Sequence, residues 1–169
     1  GGETAEMPGV YVDGEMDVAG TIVGVVDRTQ AIDGTRVAAG DVILGLPSNG
    51  LHTNGYSLAR RALAGLDWYI QRADLGASIG DALLAVHRSY LTQFRKLDAA
   101  SVRMHGIAHI TGGGLLENVP RVMPNDLAAV FHVGAWPVPP IFELIRLHLG
   151  DVARDDLYRA FNMGLGLCV

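Results

Sequence analysis

The chain has 169 residues, of which 49% are hydrophobic, and a formal net charge of −5. That length is one domain's worth on the usual scale of about 100–200 residues. The apolar content excludes intrinsic disorder, and the acidic balance argues against a nucleic-acid binder, which carries a basic patch. The single cysteine, Cys168, rules out an intrachain disulfide and suits a reducing cytoplasm. No apolar run approaches the ~18 residues of a membrane span, and there is no basic-then-apolar signal peptide.

In chain order, residues 1–17 read as a polar loop punctuated by Pro8, Gly9 and Gly14. Val18 to Val26 is rich in valine and isoleucine and reads as a strand. Turn signals at Asp33-Gly34 and Gly40-Asp41 precede a short buried strand from Val42 to Leu46. A polar loop over 47–56 leads to a helix from Ser57 to Ala64, with Leu58, Ala62 and Leu63 on one side and Arg60 and Arg61 toward solvent. Residues 66–79 have no clear period. Asp81 to Leu97 has the strongest helical pattern, because Leu83, Val86, Tyr90, Leu91, Phe94 and Leu97 recur at three and four residues. Ile107 to Ile110 reads as a strand ended by Thr111-Gly112-Gly113-Gly114, with a short helix from Leu115 to near Pro120. Leu127 to Val133 reads as another strand. Pro139-Pro140 opens a helix through Leu147. A polar turn at 150–156 leads to Tyr158–Asn162 and a last strand from Gly164 to Val169. Interleaved strands and helices without strict alternation predict an α/β (α+β) layered mixed sheet rather than a TIM barrel or bundle. The chain opens on Gly1-Gly2 without an initiator methionine and closes inside a strand-like run, so it is expected to be a fragment of a longer protein.

Four constellations can carry chemistry. Glu3, Thr4 and Glu6 lie in a glycine-framed loop, where carboxylates serve magnesium or a substrate amine; the competing reading is a solvated loop. Ser48-Asn49-Gly50-Leu51-His52-Thr53-Asn54-Gly55 links a strand to a helix, which suits a phosphate cradle with His52 as an added hydrogen-bonding group. It equally suits an ordinary capping loop, with Thr53 or Asn54 as the cap. It is not the lysine-bearing phosphate loop, since no Gly-Lys-Ser/Thr occurs. Thr111-Gly112-Gly113-Gly114 is costly to order and used where backbone approaches a ligand or another segment. Arg121 can clamp a phosphate, or pair with Glu117 as exposed i,i+4 neighbours. Asn162 sits between Phe161 and Met163-Gly164, facing a cleft or simply entering the last strand. No His or Cys pair has zinc spacing.

The order and spacing of these strings resemble the AIR synthetase (phosphoribosylformylglycinamidine cyclo-ligase) family. The matching strings are Gly-Gly-Glu-Thr-Ala-Glu-Met-Pro-Gly at 1–9, Asp17 to Gly20, Gly50 to Leu58, His-Ile-Thr-Gly-Gly-Gly at 109–114, Glu-Asn-Val-Pro-Arg at 117–121 and Phe-Asn-Met-Gly at 161–164. The resemblance implies an amino-terminal domain, with much of the ATP site and the dimer interface, of which residues 1–28 are the end. Residues 29–169 would be most of the carboxy-terminal domain, lacking its last strands and helix. It implies ATP-dependent cyclisation of formylglycinamidine ribonucleotide to aminoimidazole ribonucleotide, with release of ADP and phosphate, in purine biosynthesis. Implied too are Mg2+, a cytoplasmic homodimer at full length, and neither nucleic-acid nor membrane partners. Carried onto this sequence, the catalytic candidates are Glu3, Thr4, His52 and Asn162. The substrate- and nucleotide-binding candidates are Glu6, Ser48, Gly50, Asn54, Gly55, Thr111, Gly112, Gly113, Gly114, Glu117, Asn118 and Arg121; metal ligands are unassigned. Thr53 stands where the family has serine, Asn49 where many relatives have serine, and Val86-His87-Arg88 where Pro-Thr-Arg is common, so only Arg88 carries over. The fragment alone is expected not to turn over. The rivals are another ATP-using member of the superfamily and a non-catalytic nucleotide-binding module.

Overall fold

The apolar run near the end of the sequence, Leu165–Cys168 (β5), is the middle strand of a three-stranded sheet. All four of its residues are buried, which is why it reads as a continuous apolar run instead of alternating. Its antiparallel neighbours are β1 (Gly45–Pro47) and β4 (Ala108–His109). Gly45 faces Cys168 and Leu46 faces Leu167, and the register shifts before Pro47 pairs with Leu165. A proline cannot donate to a ladder, and Pro47 ends an edge strand. These relations come from a computed structural model that describes residues 20–169.

The chain divides into two units, Gly1–Ala31 and Ile32–Val169. In the first, the described residues hold one 3-10 turn, Arg28–Gln30, closed by the Gln30 N–H on the Asp27 carbonyl (2.8 Å). The strand expected over Val18 to Val26 is not formed by residues 20–26. A strand exists only through a ladder, and none of the described residues pairs with them; positions 18 and 19 lie outside the described residues.

In the second unit, α1 (Tyr56–Leu63) falls within one residue of the expected helix. Ala59 and Leu63 are fully buried, while Arg60 and Arg61 are exposed. The aperiodic stretch over 66–79 holds a hairpin of two-residue strands, β2 (Gln71–Arg72) and β3 (Ala77–Ser78), too short to leave a period. The single helix expected from Asp81 to Leu97 is instead two. Ser78 caps α2 (Ile79–Leu83) by accepting the Asp81 N–H (3.0 Å), and α3 spans Leu91–Ala99. Between them, residues 85–90 leave the helix because their polar groups bond across the chain. Asn49 Nδ2 donates to the Val86 carbonyl (2.8 Å), and Arg88 Nη1 and Tyr90 Oη both donate to the Pro47 carbonyl (3.2 and 3.1 Å). Of the supposed apolar face, Leu83 and Tyr90 are buried but Val86 is 85% exposed.

The glycine turn opens α4 (Gly114–Asn118), followed by a 3-10 turn over Pro120–Val122. The strand expected over Leu127 to Val133 is absent; the segment is irregular, with Phe131 half-buried against Trp136 and Val130 exposed. α5 (Pro140–Leu149) starts at its proline as expected and buries Ile141, Phe142, Leu144 and Ile145. α6 (Arg154–Ala160) begins inside the stretch read as a polar turn at 150–156 and runs on through Ala160. Its polar surface hides two buried anchors, Leu157 and Tyr158. The helices and antiparallel sheets make an α+β fold whose core joins α1, α5, α6 and β5. Among the described residues, no helix is long and apolar enough to cross a membrane.

Candidate functional site

The loop after β1 turns sharply. His52 and Thr53 have φ values of 52° and 72°, the left-handed region that side chains rarely adopt. Two such residues in succession store roughly 1–3 kcal/mol each and persist only where the surroundings over-determine them. Those surroundings come from the far end of the sequence. Asn162, 2% exposed, accepts the Ser48 hydroxyl (2.8 Å) and the Gly164 N–H (2.9 Å) on Oδ1, and its Nδ2 donates to the Gly50 carbonyl (2.8 Å). The Ser48 N–H donates in turn to the Gly164 carbonyl (2.8 Å). One amide thus staples Ser48 and Gly50 to the entry of β5.

A second amide joins the same loop to the triple glycine. Asn54 Oδ1 accepts the Gly112 N–H (3.0 Å), and its Nδ2 donates to the His52 carbonyl (3.0 Å). A third organises the glycine turn from below. Buried Asn118 lies within donor reach of the Thr111, Gly112 and Gly114 carbonyls (3.3, 3.1 and 2.8 Å) and accepts from Thr111 Oγ1 and Arg121 Nη1, both at 3.2 Å. Gly114, at φ +57°, cannot be replaced freely: a methyl there would overlap the Tyr158 carbonyl oxygen of α6. Glu117 pairs with Arg121 (3.4 Å) and reaches Arg159 (3.8 Å), all exposed, matching the i,i+4 reading of that pair.

On this ledge the ring of His52 is 3% exposed. Its Nε2 lies 2.6 Å from Asn49 Oδ1 and 3.2 Å from the Asn49 backbone nitrogen. The shorter contact makes Nε2–H the donor. Nδ1 is then an acceptor, and it is buried with no partner among the described residues. Protonation would put a donor there with nothing to receive it. Burial first, then neighbouring His87, His109 and Arg88, lowers the His52 pKa to about 4 from an ordinary value near 6.5, so His52 is neutral at physiological pH. His109 is also lowered, by burial and then by His87. His87 stacks on His52 with ring centres 4.0 Å apart and planes 20° from parallel, and lies 5.3 Å from His109. Tyr90 meets His52 edge-on at 6.2 Å, and burial pushes its hydroxyl up to about 12. Gly166 of β5 lets this group close up, since a methyl there would overlap Tyr90 Oη and crowd His52 Nδ1.

The structure therefore gathers Ser48, Gly50, His52, Asn54, Thr111, Gly112, Gly113, Gly114, Asn118 and Asn162 around one ledge, with Gly55 at the start of α1 packed on Phe161. Asn162 and Asn118 lie within it as buried, engaged amides. Glu3, Thr4 and Glu6 lie outside the described residues. Sequence reasoning did not single out Asn49, Tyr90 or His87 for the site. Asn49 bonds His52 from three residues away in the same loop, whereas the approach of Tyr90 and His87 depends on the break between α2 and α3, which no local pattern signals. Among the described residues, no group of three His, Cys, Asp or Glu is placed to hold a metal ion. A separate groove of about 770 Å³, lined by Asp41, Leu44, His105, Val122, Val130 and Cys168 among others, contains none of the candidate residues.

The family described as AIR synthase related protein, C-terminal domain, matches residues 38–169. The chain is 53% identical over 169 residues to a phosphoribosylformylglycinamidine cyclo-ligase of Gloeobacter violaceus, covering 99% of this chain and 50% of that protein. It is 49% identical over 173 residues to the protein of that name from Bifidobacterium animalis subsp. lactis, covering 100% and 50%. Identity is 48% over 170 residues with the one from Syntrophotalea carbinolica, covering 99% and 48%. The chain spans about half the length of the curated relatives it matches.

Proposed function

Because this chain belongs to the AIR synthase related protein family, through that family's C-terminal domain at residues 38–169, we propose that it is part of a cyclo-ligase that uses ATP to close formylglycinamidine ribonucleotide into aminoimidazole ribonucleotide. In that reaction the formyl oxygen takes the γ-phosphoryl group of ATP, the amidine nitrogen attacks the activated carbon, and phosphate leaves. Such chemistry rests on positioning and electrostatic stabilisation more than on covalent protein chemistry. The observation that carries the reading is the meeting of three family strings, remote in sequence, on one ledge: Asn162 with Ser48 and Gly50, and Asn54 with Gly112.

The geometry supports these roles. Neutral His52, bonded to Asn49 through Nε2, holds the 48–55 loop in the shape that receives substrate, and does so as a neutral group rather than as a cation. The 48–55 and 111–114 loops surround substrate or nucleotide phosphates; a phosphate that takes the Gly112 N–H replaces the Asn54 amide now holding it. Asn118 and Asn162 fix the loop shapes. Glu3, Thr4 and Glu6 act in the same reaction on this reading. The division near residue 28 and a cytoplasmic homodimer are parts of the same proposal.

The test is an assay of the protein that carries this chain at its natural length, supplied with ATP, Mg2+ and formylglycinamidine ribonucleotide. The expected result is substrate-dependent ADP release with stoichiometric aminoimidazole ribonucleotide, and a loss of at least about tenfold in kcat/KM for H52A, about 1.4 kcal/mol of transition-state stabilisation. ATP binding without ring closure would reject the cyclo-ligase reading and leave the family membership alone.

A further inference from the structure

His87 has no part in the reading above, yet it occupies a distinctive place. It lies in the extended segment between α2 and α3, and its ring is exposed while the ring beneath it, His52, is buried. Three further contacts hold that segment against the site loop: Asn49 to Val86, Arg88 to Pro47 and Tyr90 to Pro47. The stack is therefore anchored on both sides of His87. Gly166 packs close to the Nδ1 edge of His52, Asn49 holds its Nε2, and Tyr90 stands edge-on beside it. His87 covers a face of the ring.

We propose that His87 is a positioning residue: its imidazole roofs His52, excludes water from that ring, and keeps His52 in the neutral form that holds the substrate loop in shape. The role deepens the proposed function and rests on it for the word substrate. The electrostatics point the same way. The titratable or charged groups around His52 are His87 and Arg88 on the extended segment, His109 on β4, and Tyr90. Among the described residues, no carboxylate is among the groups that shift His52. Removing the roof exposes a face of the ring to water and relieves part of the desolvation that disfavours the imidazolium. The ring's protonation then moves back toward the ordinary histidine range.

The test is a pH titration of His52 by nitrogen-15 NMR of histidine-labelled protein, with H52Q to assign the signal. The variants are H87A, which removes the ring, and H87F, which keeps a stacking ring without a titrating group. In H87A the His52 midpoint is expected to rise by at least one pH unit. In H87F the midpoint rises by clearly less than in H87A, because the ring still shields His52 and only the charge of His87 is gone. An unchanged midpoint in H87A overturns the proposal, as does H87F behaving like H87A. If H87A does not fold, H87Q supplies the ringless variant. In the activity assay, H87A is expected to move the acid limb of the kcat/KM profile upward by about one unit, and H87F to move it by clearly less. The NMR arm needs no turnover. A protein that fails to close the ring rejects the cyclo-ligase reading, while a roof that fails in the titration rejects this one.

Discussion

Two regions of the larger unit solve opposite problems. The ledge built from the loops at 48–55, 111–113 and 161–164 has little regular structure, yet its shape is fully specified. The amides of half-buried Asn54 and of buried Asn118 and Asn162 take up backbone groups that no helix or strand satisfies. The groove between residues 37–44, 102–108 and 119–130 has the reverse character. It is largely apolar, with Val42 78% and Val130 72% exposed, and its rim is marked by the exposed Asp41–His105 contact (2.8 Å). Geometry in the first region depends on a few irreplaceable polar atoms. In the second it depends on area, which tolerates exchange.

That contrast can be broken by substitution. The largest effect is expected for G114A. Its methyl meets the Tyr158 and Phe161 carbonyls and its φ is left-handed, so a loss of about 4 kcal/mol or failure to fold is expected. G112A, at ordinary contact with Asn54, should cost less than about 1 kcal/mol; similar urea midpoints for the two would refute this account of the glycine turn. N162A strands the Ser48 hydroxyl, the Gly50 carbonyl and the Gly164 N–H, for a loss of about 3 kcal/mol by denaturant unfolding.

His52 supplies a pH-dependent term of intermediate size. Its folded pKa is depressed, so above about 6.5 both states are neutral and the term is silent. As pH falls from about 6.5 toward 4, the unfolded chain takes up a proton that the native state refuses, and stability drops by about 2 kcal/mol. Unfolding curves of H52Q should lack that component, and an identical pH dependence in both proteins would refute it. The smallest effect is expected on the groove side, where V130S should stay within about 0.5 kcal/mol of the parent in thermal unfolding. A larger loss there would show that the groove is as tightly specified as the ledge.

Much of the local structure was legible because its causes are local. α1 follows from its apolar spacing, α5 from proline in its first turn, and β5 from an unbroken apolar run. The strings Ser48–Gly55, Thr111–Gly114 and Asn162 also stood out, because small, amide and glycine residues rarely cluster without a backbone reason. What each residue does there was a different matter. Asn162 could be read as facing a cleft, but its partners are 112 and 114 residues away in sequence, and those contacts make it a staple.

The sequence by itself determined the family, the helices whose patterns repeat within a few residues, and the loops on which the site is built. Only the tertiary structure decided that 85–90 leaves the helix, that β2 and β3 pair, and that His87 comes to lie on His52. Helical periodicity favours continuation through Val86, but a helix is kept only where its bonds are the best on offer. Here the Pro47 carbonyl and the Asn49 amide offered better partners across the chain, and no window of neighbouring residues contains them.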